Sequence, residues 1–254
     1  MILAFDTSTR ACSVALGDAD GQLIAEQKIK ADGFVHAEAL LPLIDELLRA
    51  QGVAPADLKA VAFSGGPGSY TGLRIGASTA KGIAHAGGIP MLAVDTCEVL
   101  AAGALRRGEA AGEAPIFPVL DARRMEVYTA AFEAKWTAGG RLPRLTKTRA
   151  VVLEGDGEVP AAEAFPGLEA GGCWVGDGAT KLSPLLATAG RSFIEADPEA
   201  RDVLTLGWAM WRAGEEVDLA YYEPAYLKEF AAALPRNPLG LGRLTRDRMP
   251  ENLR

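Results

Sequence analysis

Two stretches of the chain echo each other: "ILAFDTSTRACSVAL" at residues 2–16 and "IFPVLDARRMEVYTA" at residues 116–130. Each carries a short apolar strand into an aspartate, Asp6 or Asp121. A polar turn follows, and the chain returns as a second strand. Repeating one start asks for one local fold twice. The pattern predicts an α/β chain of two lobes, each with a mixed sheet opened by a hairpin. The division falls near residue 110. Residues 1–110 form an N-terminal lobe, residues 111–230 a smaller C-terminal lobe, and residues 231–254 a flexible tail.

The first half supports this plan. "GQLIAEQKIK" reads as a third strand after the "DADG" turn. "HAEALLPLIDELLRAQG" is an amphipathic helix: Leu40, Leu41, Ile44, Leu47 and Leu48 recur at helical spacing, and Gly52 ends it. Pro42 is expected near the first turn, where its missing N–H is tolerated. "LKAVAFSGG", a helix over 71–86 and "IPMLAVD" make a βαβ unit with parallel strands. Another helix spans 96–107. Later strands are expected around 146–153 and 173–176, and a late helix over 204–213.

Composition narrows the function classes. Hydrophobic residues make up 49% and charged residues 23%, a soluble globular mixture. The net charge of -7 disfavours a generic nucleic-acid coat, which needs phosphate neutralisation. Asp6 and Arg10 interrupt the N-terminal apolar run, which lacks a basic leader, and no apolar span reaches membrane length. Cytoplasm is the expected compartment, with no membrane partner. Cys12, Cys97 and Cys173 are widely spaced and read as buried small hydrophobes in a reducing compartment.

"AFSGGPGSYTGLRIGASTAKG", residues 62–82, looks like a phosphate loop. It fails the familiar tests. No glycine precedes a Lys-Ser or Lys-Thr pair, the G-x-G-x-x-G spacing misses by one residue at Gly72, and Ser69 lacks flanking glycines. What survives is position. A loop between strand and helix presents free N–H groups and a favourable dipole to an anion. Gly66, Gly68 and Ser69 are the candidate anion-binding residues, with Arg74 one turn on. A tight βα turn capped by Ser69 or Thr71 explains the same residues.

Asp6, Thr7 and Ser8 form the second candidate group. An aspartate at a strand end followed by a Ser/Thr hairpin occurs in actin-like ATPases and sugar kinases, where the aspartate organises a metal. An ordinary Ser/Asx turn is the alternative. "LDARRMEVYTA" concentrates Asp121, Arg123, Arg124, Glu126 and Tyr128, either at an interlobe cleft or partner site or as a solvated turn. His36 and His85 stand alone, without metal-ligand spacing, so no metal site is expected. His36 reads as a surface or capping residue, and no nucleophile–base pair marks a catalytic residue.

"LAFDTSTRACSVAL", "HAEALLPLIDELL", "SGGPGSYTGLRIGASTAKGIA", "PVLDARRMEVYTA" and "EPAYL" occur in that order. Together they closely resemble the TsaB (YeaZ) family, from Ile2 to about Leu227. The resemblance implies a two-lobed actin-like, Hsp70-like ATPase fold. It implies a noncatalytic subunit of the machinery that makes threonylcarbamoyladenosine in tRNA. The paralogue TsaD transfers the threonylcarbamoyl group with a bound metal, and the ATPase TsaE also joins. The implied partners are a TsaD-like paralogue and a TsaE-like ATPase, a homodimer forms when the chain is alone, and tRNA is met through the complex. At the two metal-binding histidine places of TsaD this chain has Thr96 and Leu100. The implied interface comprises Leu40, Ile44, Leu47, Leu48 and Arg74. No tightly bound cofactor is implied; ATP or ADP would sit at the partner interface. The rivals are an actin-like-fold, ATP-dependent phosphotransferase on a small metabolite and, behind it, a peptidase of the glycoprotease type.

Overall fold

The computed structural model describes residues 1–30, 36–110, 114–153, 171–186 and 190–228. The tail at 231–254 lies outside the described residues. The first sheet contains β1 (Ile2–Asp6), β2 (Ala11–Gly17), β3 (Leu23–Lys30), β4 (Ala60–Gly66) and β5 (Met91–Asp95), in the order β3-β2-β1-β4-β5. The first three strands are antiparallel, while β4 and β5 run parallel to β1. The second sheet contains β6 (Ile116–Asp121), β7 (Glu126–Thr129), β8 (Arg149–Val152), β9 (Gly172–Val175) and β10 (Arg191–Ile194). Its order, β8-β7-β6-β9-β10, and its strand directions repeat those of the first. The α/β plan with two mixed sheets of duplicated order is therefore present.

Four of the helices are α1 (His36–Ala50), α2 (Tyr70–Gly87), α3 (Thr96–Arg106) and α4 (Ala179–Leu186). The fifth, α5 (Ala200–Ala213), follows β10. Neither β10 nor α4 was expected from sequence; β10 is only four residues long and its pattern is too short to read.

Alternation along β1 sorts two cores. Leu3 and Phe5 face α1 and α2, whereas Ile2 and Ala4 face the space between the sheets. That inner face is lined by Ala4, Ala15, Ala60 and Ala62, which let a helix come close. α5 fills it, lying across β1, β2 and β4. A methyl at Gly207 of α5 would lie 2.5 Å from the Ala62 methyl. In return α3, which ends the first half, packs on β6 and β9. Arg106 of α3 grips Asp202 of α5 through two hydrogen bonds of 2.8 and 3.0 Å. Residues 200–213, placed with the second lobe by sequence, thus sit on the first sheet, whose alanine face would otherwise be wet.

α1 departs from expectation in two ways. It starts at His36, so Pro42 lies inside the helix with its ring on the exposed face. Its leucine face is also turned inward. Leu40, Ile44, Leu47 and Leu48 are 1%, 6%, 2% and 5% exposed and pack with β1 and β2 residues in the chain's own core. The chain's own first sheet therefore covers these four side chains, and they do not form an exposed face. Leu41, 59% exposed, points outward.

After α5 the chain does not stop. Val217 N–H donates to the Met91 carbonyl at 3.0 Å, on the outer strand β5. Residues 217–228 then run as a strap over the end of β4 toward the second lobe.

Candidate interlobe site

The duplicated hairpin turns face each other across a cleft of about 550 Å³. Ser8, Thr9, Arg10 and Lys30 line one wall with the start of α2, Gly68 to Thr71. Asp121, Arg123, Tyr128, Asp177, Glu195 and Asp197 line the other. The charged "LDARRMEVYTA" hairpin thus contributes to the cleft. Arg123 and Arg124 have positive φ angles of 67° and 53°, an uncommon backbone for such residues. The Arg123 N–H donates to Asp121 Oδ1 at 2.6 Å and holds the turn.

Asp6 does not reach this cleft. It is fully buried, and both carboxylate oxygens are occupied by Ser8. The Ser8 N–H donates to Oδ1 at 3.1 Å and the Ser8 hydroxyl to Oδ2 at 2.8 Å. Burial pushes its carboxyl up to about 6 against those hydrogen bonds. Thr7 is also buried, and its hydroxyl donates to the Gly72 carbonyl at 2.8 Å.

The glycine loop closes on the same hairpin. Ser69 N–H donates to the Ser8 carbonyl at 2.7 Å, and Ser69 Oγ caps α2 by accepting from Gly72 N at 3.3 Å. A methyl at Gly68 would lie 2.4 Å from the Ser8 carbonyl oxygen; one at Gly72 would lie 2.0 Å from that of Thr7. The close approach these glycines permit is taken by the chain's own backbone. Gly72 and Asp6 thus lie behind the cleft wall, while Gly68 forms part of it. Gly66 is covered too: its methyl position lies 3.0 Å from the Ala225 carbonyl oxygen in the strap. Of the six anion-binding candidates, Ser8, Gly68 and Ser69 line the cleft, while Asp6, Thr7 and Gly66 are sealed behind it.

The polar groups in the cleft mostly satisfy one another. Asp197 accepts from Lys30 at 2.9 Å and from the Thr9 hydroxyl at 3.4 Å. Asp177 accepts from the Asp121 N–H at 2.9 Å, and burial pushes its carboxyl up to about 6. Burial works to raise Asp121 as well, but Lys181 at 2.6 Å and the Arg123 N–H outweigh it and hold the group below its ordinary value. Asp177, Asp197 and Lys30 escaped the sequence reading because none lies in a marked motif, and the cleft gathers them from distant parts of the chain. His36 is 1% exposed, not superficial; its Nε2–H donates to the Thr9 carbonyl at 2.7 Å and pins α1 to the hairpin.

A second, shallower groove lies outside, between α2 and the strap. Arg74, Ser78 and Lys81 line one side, and Tyr222, Glu223 and Tyr226 the other. Tyr226 packs on Tyr70 with ring centroids 4.9 Å apart, and Arg74 Nη1 donates to the Tyr70 hydroxyl at 3.1 Å. Arg74 is thus exposed and accessible, unlike the four α1 residues.

Residues 33–141 match the family profile for TsaD, tRNA N6-adenosine threonylcarbamoyltransferase. The TsaB protein of Escherichia coli strain K12, a tRNA threonylcarbamoyladenosine biosynthesis protein, is 32% identical over 241 residues. That match covers 91% of this chain and 96% of the relative. The chain belongs to the TsaB family. The TsaB of Bacillus subtilis strain 168 is 36% identical over 154 residues, covering 60% of this chain and 62% of its own. Among solved structures, YeaZ from Pseudomonas aeruginosa superimposes with a TM-score of 0.71 at 31% identity, covering 89% of this chain and 99% of that one.

In this TsaB-family chain, Thr96 and Leu100 open α3 and are fully buried or nearly so. Asp95 caps that helix through the N–H groups of Cys97 and Glu98. Among the described residues, no group of three or more His, Cys, Asp or Glu side chains is arranged to hold a metal. No described helix is long and apolar enough to cross a membrane.

Proposed function

We propose that the chain is the noncatalytic subunit that binds and activates a TsaD-like paralogue for threonylcarbamoyl transfer to the anticodon-loop adenosine of tRNA. The observation that carries this reading is the mutual closure of the two loops that would handle ATP in a working motor of this fold. Asp6 is buried and held by Ser8, and the glycine loop is filled by the Thr7 and Ser8 carbonyls. What remains is a stable body with an outward face on α1 and α2. Leu41, Tyr70 and Arg74 on that face meet the paralogue, or a second copy when the chain is alone. A TsaE-like ATPase joins the complex, and tRNA reaches the chain through it. Adenine nucleotide belongs at the shared interface near Ser69 and Arg74, not inside the closed loop.

The rival phosphotransferase needs Asp6 beside a metal–phosphate group. ATP hydrolysis by the isolated chain distinguishes the two. The expected result is turnover at the buffer background for the native chain and for Asp6→Asn alike. Metal-dependent turnover that Asp6→Asn abolishes would favour the rival.

A further inference from the structure

The strap makes its last described contact on the opposite lobe. Its anchor on the first lobe is double: Ala225 N–H donates to the Gly65 carbonyl at 2.9 Å, and the Tyr222 hydroxyl donates to the same oxygen at 3.2 Å. The Tyr222 ring also meets Phe63 of β4 edge-on, with centroids 5.4 Å apart. Gly65 and Gly66 leave no room for a side chain beneath it: a methyl at Gly65 would lie 2.5 Å from the Tyr222 hydroxyl. Three residues beyond Ala225, Lys228 reaches across. Its ammonium donates to the Ala122 carbonyl at 3.2 Å and pairs with the Glu126 carboxylate, both on the β6–β7 hairpin of the second lobe. Ala122 itself lines the cleft.

The cleft is also held elsewhere. Lys30 and the Thr9 hydroxyl bind Asp197, and the Ala200 N–H donates to Ser13 Oγ at 2.9 Å. Those contacts tie β2 and β3 to the segment leading into α5, near the root of that helix. The strap ties α2's side of the first lobe to the hairpin that carries Asp121 and Arg123. The Asp197 side combines the Lys30 ammonium with the Thr9 and Ala200 hydrogen bonds, whereas the strap reaches the second lobe through the Lys228 ammonium.

We infer that residues 222–228 are a latch: Tyr222 and Ala225 root it on the first lobe, and Lys228 closes it on the second, setting how far the cleft opens. Releasing Lys228 frees the β6–β7 hairpin to swing from the α2 N-terminus while the Asp197 contacts act as the hinge side. The latch lies between the cleft and the outer groove, since Tyr70 borders both.

Distance measurement between two spin labels tests this in the full chain. Cys12, Cys97 and Cys173 are buried, so labels go to Ala86→Cys on α2 and Ala150→Cys on β8, both at exposed positions. In Lys228→Ala the distance distribution is expected to broaden and shift to longer values. Lys228→Arg, which keeps the charge and donors, should restore the native distribution. Tyr222→Phe, which removes one donor from the root and keeps the ring, should give a smaller shift. Lys147→Ala, an exposed lysine away from the strap, should give none. A distribution unchanged in Lys228→Ala would overturn the latch, as would an equal shift in Lys147→Ala. Neither result bears on whether the chain pairs with a TsaD-like partner.

Discussion

A methyl group added at Gly72 would sit 2.0 Å from the Thr7 carbonyl oxygen, whereas at Gly82, ten residues along the same helix, nothing lies within 4 Å. The two glycines therefore respond oppositely to alanine. Gly72→Ala must push the hairpin away and is expected to lose about 1–3 kcal/mol or more of unfolding free energy. Gly82→Ala relieves a flexible helix position and should gain roughly 0.5–1 kcal/mol. Urea unfolding of the two variants reads both signs. Asp6 makes a prediction in pH. Its folded-state carboxyl lies at about 6, above the ordinary 3.8, so the native state holds a proton that the unfolded state releases. Its contribution to stability is fully present below pH 3.8 and is lost as pH rises to about 6, to the extent of roughly 3 kcal/mol. Asp6→Asn cannot ionise, so that loss is absent from its stability profile between pH 4 and 6.5. A native-like slope in the variant would assign the effect to another group. Asp6, Gly68 and Ser69 could be picked out from sequence because strand ends, turns and caps are local signals. The Ser8–Asp6 contact is the local Asx-type turn that the sequence already offered as an alternative. That Thr7 would fill the space at Gly72 was not legible, because that contact joins residues 65 positions apart.

At the scale of elements, α1 shows the limit of a periodic pattern. Leu40, Ile44, Leu47 and Leu48 mark an apolar face, yet periodicity cannot say whether the face meets the chain's own sheet or another protein. The structure gives it to β1 and β2. Leu47→Ala should cost about 2–5 kcal/mol in stability through the cavity it leaves. Leu41→Ala, at an exposed site, should change stability by no more than about 0.5 kcal/mol. Combined with Arg74→Ala it is expected to weaken binding to the TsaD-like paralogue at least tenfold, about 1.4 kcal/mol, by calorimetric titration. Unchanged affinity in the stable double variant would move the interface off this face. The strap escaped the sequence reading for a related reason. "EPAYL" has no periodicity, and its order comes from single contacts such as Ala225 to the Gly65 carbonyl.

At the scale of the molecule, the echo between residues 2–16 and 116–130 was enough to foresee two mixed sheets, each opened by a hairpin, though not their common strand order. It could not foresee that each half lends its last helix to the other. That exchange follows from the alanine-lined inner face of the first sheet, which accepts α5, and from the Arg106–Asp202 contact between α3 and α5. The lobes are consequently joined by shared helices, by the Asp197 contacts and by the strap, with the Asp6–Arg10 turn and the glycine loop closed on each other. A body of this kind suits a subunit that positions a partner rather than one that turns over nucleotide. Reconstituted tRNA modification tests that claim most directly. The purified chain, the TsaD-like paralogue, the TsaE-like ATPase, the enzyme that forms the threonylcarbamoyl-adenylate donor and substrate tRNA are combined, and each protein is omitted in turn. Modified adenosine should be lost when this chain is left out and restored by Asp6→Asn as well as by the native chain. Full modification without this chain, or failure of a well-folded Asp6→Asn to restore it, would contradict the account.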